Sequence, residues 1–511
     1  MKKLEMNTIS NIVTKLWSIV AIYVFIPLYI RVLGETAYGL VSFFATLQAT
    51  MNILGLGLSN TLKREFASGV FDQDNSRRKY KLLRSIETIY FVIGLIIIAI
   101  CISGSPVIAD KWLNIEDLDP NMVITVIGLM GISIALQMIA NLYVGCLFGL
   151  EYQVITNIAT VFWSILKSTG ALVIIYLIKP NLIYFYAWHI VTDIIYLLFL
   201  RNKTIKCLQL VQKVTWNIKE INNIKTIWKY AAGILFISFI GLINKQLDKV
   251  VISKYLSVTE LGAYTVATTL GGVCTIIPVA LVTTVFPRFT QYATTCNSEQ
   301  LNREFVSFNK ISSIITACLG AYISFFSTPL IKLWTGSDIY VELLTKVGFF
   351  VIMAVALAEY QEMPYALALS YGYTKYNVLV GAIFIPIIFI ATYFGIIKFG
   401  LLGAGVVYLI IMLTQTLLYQ FLVVKKFLRE QLFNIMVKQT LLPISFSLIL
   451  AFISKKIVFE LSTNTLVICV LAVLFGLIAL CLMLFIFAKE ELLIMFNRFS
   501  TKREKNPLVK K

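Results

Sequence analysis

Runs of about twenty apolar residues recur along this chain from Asn7 to Phe487, and they leave it few possible solvents other than lipid. A helix rises about 1.5 Å per residue, so each run is long enough to cross a hydrocarbon core roughly 30 Å thick. Backbone N–H and C=O groups find no water there. Each crossing must therefore be helical, because an open strand would leave those groups bare. Ten-residue alternating runs of the barrel type are absent. With 59% hydrophobic and 14% charged residues, an ordinary soluble globule and a disordered chain are both excluded.

Windows of about 19 residues place spans near 8–30, 37–60, 85–104, 122–148, 155–178, 182–200, 229–252, 261–286, 307–328, 345–370, 376–396, 401–424, 439–455 and 465–488. The fold class is an all-α integral membrane protein with about 14 transmembrane helices. Short basic loops stay in the cytoplasm. The loop after the second span carries Lys63, Arg64, Arg77, Arg78, Lys79, Lys81 and Arg84, and the one after the sixth carries Arg201, Lys203, Lys206, Lys213 and Lys219. The connection after the third span is acidic, with Asp110, Glu116, Asp117 and Asp119 against Lys111, and the tail from Lys489 is basic again. Both termini are expected in the cytoplasm. Lys455 and Lys456 dissent, since they fall outside in this arrangement. The N-terminal run has no small-residue cleavage site after it and is expected to remain as the first helix.

The net charge of +18 lies in short clusters beside the helices, which suits topology and anionic lipid better than nucleic acid. Eight cysteines, mostly within apolar segments and without Cys/His spacing, read as packing residues. No metal site is expected with a single histidine in the chain. No phosphate-binding glycine loop, dinucleotide fingerprint or Ser/His/Asp order occurs, so no cofactor and no enzyme chemistry is expected.

The sequence also repeats itself. Arg31 to Leu40 and Lys254 to Tyr264 rhyme, each joining the first and second span of its half, and Gly39 and Gly262 lie 223 residues apart (262 − 39). Gly149 and Gly372, in turns after the fourth span of each half, share that offset (372 − 149). A displacement by six helices, an even number, makes the repeats parallel, as in transporter folds that hold substrate between repeats.

A charge at mid-bilayer costs roughly 2.5–3.5 kcal/mol on insertion scales and persists against a cavity, a partner or a water file. Lys167 lies in the middle of the fifth span, on a stripe with Asn157, Thr160, Ser164 and Ser168 that is expected to line an aqueous lumen. Ser238, Gly241, Lys245 and Asp248, with Lys249 beside them, follow the same rhythm in the seventh span; Thr8, Asn11, Lys15 and Ser18 do so in the first. Direct pairing between helices, or snorkelling of lysines to headgroups, is the plainer alternative. His189 and Asp193 stand one turn apart in the sixth span, where a local hydrogen-bonded pair is expected, and Glu359 and Glu362 precede Pro364 in the tenth. Carboxylates held from water can take up and release protons or sodium ions. Pro364 and Pro386 are candidate bending points.

The passage Gln361-Glu362-Met363-Pro364-Tyr365 to Asn377, with Ile385-Pro386 and Phe399-Gly400-Leu401-Leu402-Gly403-Ala404-Gly405, resembles the tenth-to-twelfth-helix signature of Wzx-type O-antigen and capsule polysaccharide flippases of the multidrug/oligosaccharidyl-lipid/polysaccharide exporter superfamily. The Arg31–Leu40 turn and the Leu247–Tyr264 passage are similar to two further landmarks, so the resemblance covers most of the chain. It implies two six-helix bundles plus two trailing helices: 1–210, a cytoplasmic linker at 211–228, 229–425, and 426–511 with a basic tail. It implies translocation of an undecaprenyl-pyrophosphate-linked oligosaccharide to the periplasmic leaflet of the bacterial inner membrane. Membrane lipids, a polysaccharide polymerase and a chain-length regulator are the other partners it suggests. A pyrophosphate needs cations in the lumen, for which Lys15, Lys167, Lys245 and Lys249 are the candidates. Asp193, Glu359 and Glu362 are candidates for ion coupling, and Asp248 matches a landmark. A lipid II flippase and a drug/cation antiporter of the same superfamily stay open as alternatives.

Overall fold

The computed structural model describes residues 2–67, 73–115, 118–208, 225–489 and 491. Most of the 211–228 segment, Glu116, Asp117 and the basic tail from Arg498 lie outside the described residues. In chain order the helices are α1 Lys2–Leu33, α2 Glu35–Ala67, α3 Gln73–Val107, α4 Pro120–Gly149, α5 Gln153–Leu177, α6 Leu182–Cys207, α7 Lys225–Tyr255 and α8 Val258–Gly271. They continue as α9 Ile276–Thr294, α10 Ser298–Phe325, the short α11 Ser327–Thr335, α12 Asp338–Ala358, α13 Glu362–Ser370, α14 Lys375–Phe427, α15 Leu442–Leu461 and α16 Thr465–Phe487.

Eleven helical stretches among the described residues are apolar and long enough to cross a membrane, with α8–α9 and α12–α13 each counting as one. Two more, α2 and α7, have the length, at 33 and 31 residues. The long α14 is two helices joined at Gly400, whose φ of 58° and ψ of −140° break the helical path. The fourteen expected spans are therefore all present as helices.

Glycines explain why α14 folds back there. Gly400 takes the left-handed φ that side chains avoid. A Cβ on Gly403 would collide with the backbone of Gly395, so the two arms touch main chain to main chain, and one on Gly405 would enter Val347 of α12. The Phe399–Gly405 motif is thus a requirement of packing.

The helices form two compact units, residues 1–262 with Thr335–Ser337, and residues 263–334 with 338–511. In the first, α4 is apolar on every side and serves as the hub, buried against α2, α3 and α6, while α1 packs on α5 and α5 on α6. Because α7 lies along α2, the units part at Gly262 rather than near residue 228. In the second unit α10 is the hub. It meets α9, α12, α15 and α16, with Cys318, Tyr322 and Phe326 packed on Ala451, Val458, Ile468 and Ala472. The last two helices are therefore part of this unit's core.

The rhyming turns meet. Thr259 Oγ1 donates to Thr36 Oγ1 at 3.0 Å across 223 positions, and Gly39 lies flat against the Val258 backbone. The second pair of glycines is two residues out of register. After α4 the left-handed residue is Glu151, φ 62°, with Tyr152 N–H donating to the Leu147 carbonyl; after α13 it is Gly372, φ 66°, with Tyr373 N–H donating to the Ala368 carbonyl. The conformations match Glu151 to Gly372 (372 − 151 = 221), so Gly149 is not the counterpart of Gly372.

Candidate functional site

Halfway along α4, α5 and α6 the first unit holds a knot of polar side chains. Lys167 lies about 20 Å into α5, on the 1.5 Å helical rise, and its Nζ sits 3.0 and 3.2 Å from the two carboxylate oxygens of Asp193 in α6. Trp163 Nε1 donates to Asp193 Oδ1 at 3.0 Å. Ser133 Oγ and Gln137 Nε2, one turn apart on α4, donate to Asp193 Oδ2 at 2.5 and 2.9 Å, and Gln48 of α2 donates to the Gln137 amide oxygen. Asp193 of α6 thus accepts from two neighbouring helices, α4 and α5, and its side chain is 0% exposed. A buried carboxylate with three donors and a paired ammonium has its charge and lone pairs matched, as a bare one would not.

Aromatic rings close the knot. Trp163 stacks on Tyr196 at 4.8 Å, Lys167 Nζ lies 4.9 Å from the Trp163 ring, and the Tyr196 hydroxyl is 2.8 Å from Thr160 Oγ1. His189, expected to bond Asp193, does not. It is buried between Phe185 and Tyr186, with neither ring nitrogen hydrogen-bonded. One helical turn separates it from Asp193, but the donors from α4 and α5 occupy the carboxylate.

The polar stripe of α5 is largely taken up by neighbouring helices. Asn157 Nδ2 donates to Ser10 Oγ at 2.9 Å and to Asn11 Oδ1 at 2.6 Å, and Asn11 donates to Gln153 Oε1 at 2.9 Å. Ser164 Oγ accepts from Trp17 Nε1 at 3.2 Å, and the Ser168 carbonyl accepts from the Tyr29 hydroxyl at 3.1 Å. These bonds tie α5 to α1. Between-helix pairing, the plainer alternative, describes Lys167, Asn157 and Ser164 as the structure places them.

Lys15, Lys245 and Lys249 are placed differently. On α1 the exposed residues form two flanks either side of the seam with α5: an apolar flank of Ile9, Ile12, Val13, Leu16 and Val20, and a polar one of Thr8, Lys15 and Ser18. On α7 the seam carries Ile240, Asn244, Asp248 and Val251, all buried; Phe236 and Phe239 are exposed on one side of it and Gly241 and Lys245 on the other, with Lys249 half-buried beside them. The first helix of each repeat therefore presents a lysine-bearing strip apart from its apolar flank. Asp248 is 2% exposed in the seam, not on the strip.

In the second unit the polar groups sit where helices break. A 3-10 turn, Gly272–Thr275, interrupts α8 and α9, and another, Glu359–Gln361, interrupts α12 and α13. Proline follows each turn by three residues: Pro278 has no N–H for the Cys274 carbonyl, and Pro364 none for that of Tyr360. The two breaks meet, with Thr275 Oγ1 donating to Glu359 Oε1 at 3.0 Å. Gln361 Nε2 donates to Thr416 Oγ1 at 2.9 Å and the Tyr360 hydroxyl to the Ser313 carbonyl at 2.9 Å. Glu359 is buried, and Glu362 is half-buried at the start of α13. Pro386, exposed within the first arm of α14, has no break beside it; the break falls at Gly400.

Sequence reading passed over Ser133, Gln137, Trp163 and Thr275. Ser133 and Gln137 stand one turn apart in the middle of a mostly apolar helix, and that spacing was the available signal. Among the described residues no group of three or more Cys, His, Asp or Glu is arranged to hold a metal.

A family model described as "Polysaccharide biosynthesis protein" matches residues 4–293. No curated protein sequence matches the chain. Among solved structures, the chain is similar to a lipid II flippase MurJ in an inward closed conformation, with a TM-score of 0.71 at 13% identity over 95% of this chain and 99% of that one. It is also similar to an inward-facing multidrug resistance MATE family transporter of the MOP superfamily, with a TM-score of 0.61 at 14% identity over 80% of this chain and 94% of that one. A MATE structure in complex with MaL6 gives a TM-score of 0.53 at 14% identity, over 83% and 96%. The fold is the one these transporters share.

Proposed function

This chain belongs to the polysaccharide biosynthesis protein family, and from that premise we propose that it is a flippase. Its cargo on this reading is an undecaprenyl-pyrophosphate-linked oligosaccharide, an O-antigen or capsule repeat unit, carried from the cytoplasmic to the periplasmic leaflet by alternating access. The observation that carries the reading is a fold likeness to a lipid II flippase through 95% of the chain. The likeness to the MATE transporter leaves a fifth of the chain unmatched. A lipid-linked sugar in place of a drug also agrees with the family's description.

The residues divide the work by chemistry. Lys15, Lys245 and Lys249, on strips open to their surroundings, supply cations for the pyrophosphate. Lys167 is matched by Asp193, so it offers little free charge. The pair acts as an ion-coupling element: a proton on Asp193 removes the counter-charge of Lys167 and changes what the knot stabilises. Glu359, at the meeting of two broken helices, is the corresponding candidate in the second unit, with Glu362 one turn on. Pro364 maintains the break that allows α12 and α13 to move apart, and Gly400 replaces Pro386 as the bend in α14. Translocation makes and breaks no covalent bond, so no catalytic residue or cofactor is called for. The basic loops orient both termini to the cytoplasm of a bacterial inner membrane, where a polymerase and a chain-length regulator would take the product onward.

The test is reconstitution. Purified full-length protein in vesicles should expose an undecaprenyl-pyrophosphate oligosaccharide to an external glycan-cleaving enzyme faster than empty vesicles do. Antiport of a cationic drug with no movement of the lipid-linked sugar would overturn the reading, and movement of lipid II alone would reassign the cargo.

A further inference from the structure

A second charged cluster lies outside the site just described, at the ends of the apolar runs of α3 and α6. Glu87 of α3 is its centre. Its Oε1 accepts from the Tyr143 hydroxyl of α4 at 2.6 Å and from Arg201 Nε of α6 at 2.9 Å, and its Oε2 faces Arg84, one turn earlier on α3. The Glu87 side chain is 16% exposed, whereas those of Arg84 and Arg201 are 31% and 35% exposed. The carboxylate is the buried part of the cluster and the guanidinium groups are its open part.

Position along the helices gives the cluster its setting. Arg84 and Glu87 stand where the charged first turns of α3 give way to the apolar run that begins at Thr88, and Arg201 stands directly after the apolar run of α6. Both helices pack on α4, which forms a floor between them. From the arginines the same helical faces continue as exposed hydrocarbon: Phe91 and Leu95 stand seven and eleven residues beyond Arg84, and Ile194 and Leu198 stand seven and three before Arg201. The neighbouring helix ends add Arg77, Lys81, Lys203 and Lys206 against Asp74.

We propose that this cluster and the apolar lane running from it form a binding site for an anionic phospholipid of the surrounding bilayer, with its phosphodiester on Arg84 and Arg201 and its acyl chains along Phe91, Leu95, Ile194 and Leu198. A guanidinium held through Nε keeps its outer N–H groups in a fixed fork, the geometry that suits a phosphate. Two arginines against one carboxylate leave the cluster positive, and the basic helix ends beside it keep the surroundings positive, which suits an anionic headgroup. The entirely apolar lane also belongs to a surface facing lipid. An ion staple between α3 and α6 would be complete with one arginine and an apolar surround.

The test is native mass spectrometry of the delipidated full-length protein, titrated separately with phosphatidylglycerol, phosphatidylcholine and undecaprenyl pyrophosphate. Wild type should retain phosphatidylglycerol over phosphatidylcholine. The double variant Arg84→Gln/Arg201→Gln should lose that preference by about tenfold or more, since it removes two charge-assisted contacts. Arg201→Lys keeps the charge without the fork and should fall between. Should the double variant unfold, Phe91→Ser/Leu95→Ser serves instead and should weaken phosphatidylglycerol retention through the lane. The proposal is overturned by equal retention of the two phospholipids in wild type, by unchanged preference in a folded double variant, or by undecaprenyl pyrophosphate displacing phosphatidylglycerol at equal concentration. None of these readouts measures transport, so a failed flippase assay leaves the proposal standing and the reverse also holds.

Discussion

The two units bury charge in opposite ways. In the first, an ion pair sits among unbroken helices, and Asp193 of α6 draws donors from α4 and α5. In the second, Glu359 occupies a turn where the helix itself has opened and accepts from a threonine of another opened turn. A pair held by rigid rods is stabilised by complementarity, and removing either member strands the other in a medium that does not solvate it. A carboxylate at a break has backbone groups nearby and helix segments that can separate. The first arrangement favours one geometry, and the second favours change.

That contrast can be broken by experiment. The largest effect is expected from Lys167→Ala, which leaves Asp193 buried without its counter-ion and should lower unfolding stability by about 3–5 kcal/mol, read by denaturant melting of the purified protein, together with surface polysaccharide in complemented cells. Lys167→Met combined with Asp193→Asn should recover most of that stability, since a buried pair replaced by well-packed uncharged groups is often neutral. Surface polysaccharide that returns with it would reduce the pair to a structural role. Glu359→Ala comes next. It deprives the Thr275 hydroxyl of its acceptor and should reduce stability by about 1–3 kcal/mol; a loss as large as that of Lys167→Ala would erase the distinction between the units.

Smaller effects sharpen the picture. Trp163→Phe removes one donor from Asp193 while keeping most of the ring stack, so about 1 kcal/mol is expected, seen as a modest shift of the same melting curve. Pro364→Ala restores an N–H opposite the Tyr360 carbonyl and should change stability by less than about 1 kcal/mol. Its effect should fall on the rate of sugar translocation in vesicles, and an unchanged rate would mean that the broken turn takes no part in movement.

Much of the architecture was legible because lipid imposes a simple rule. Hydrocarbon admits only long apolar helices, so span positions followed from hydropathy; the bend in α14, expected at Pro386, falls instead at Gly400, and the rhyming turns were visible in the chain without their Thr36–Thr259 contact. The register of the second pair of turns was not, because the left-handed residue after α4 is Glu151, and nothing in a glutamate announces that conformation. Charges were found but not their partners. Lys167 and Asp193 were read as two separate functions, and 26 positions along the chain gave no hint that they stand 3.0 Å apart.

By itself the amino-acid order determined the solvent, the number of crossings, the basic and acidic loops and the repeat, since each depends on local composition and on a period along one helix. Tertiary packing decided which amine is neutralised and which lies open, because pairing depends on the angle at which each helix turns its face to the next. Lys167 and Lys15 are the same residue in the same kind of polar stripe. Only their neighbours, Asp193 and three polar donors for one, an open flank for the other, separate a buried, paired ammonium from an exposed one.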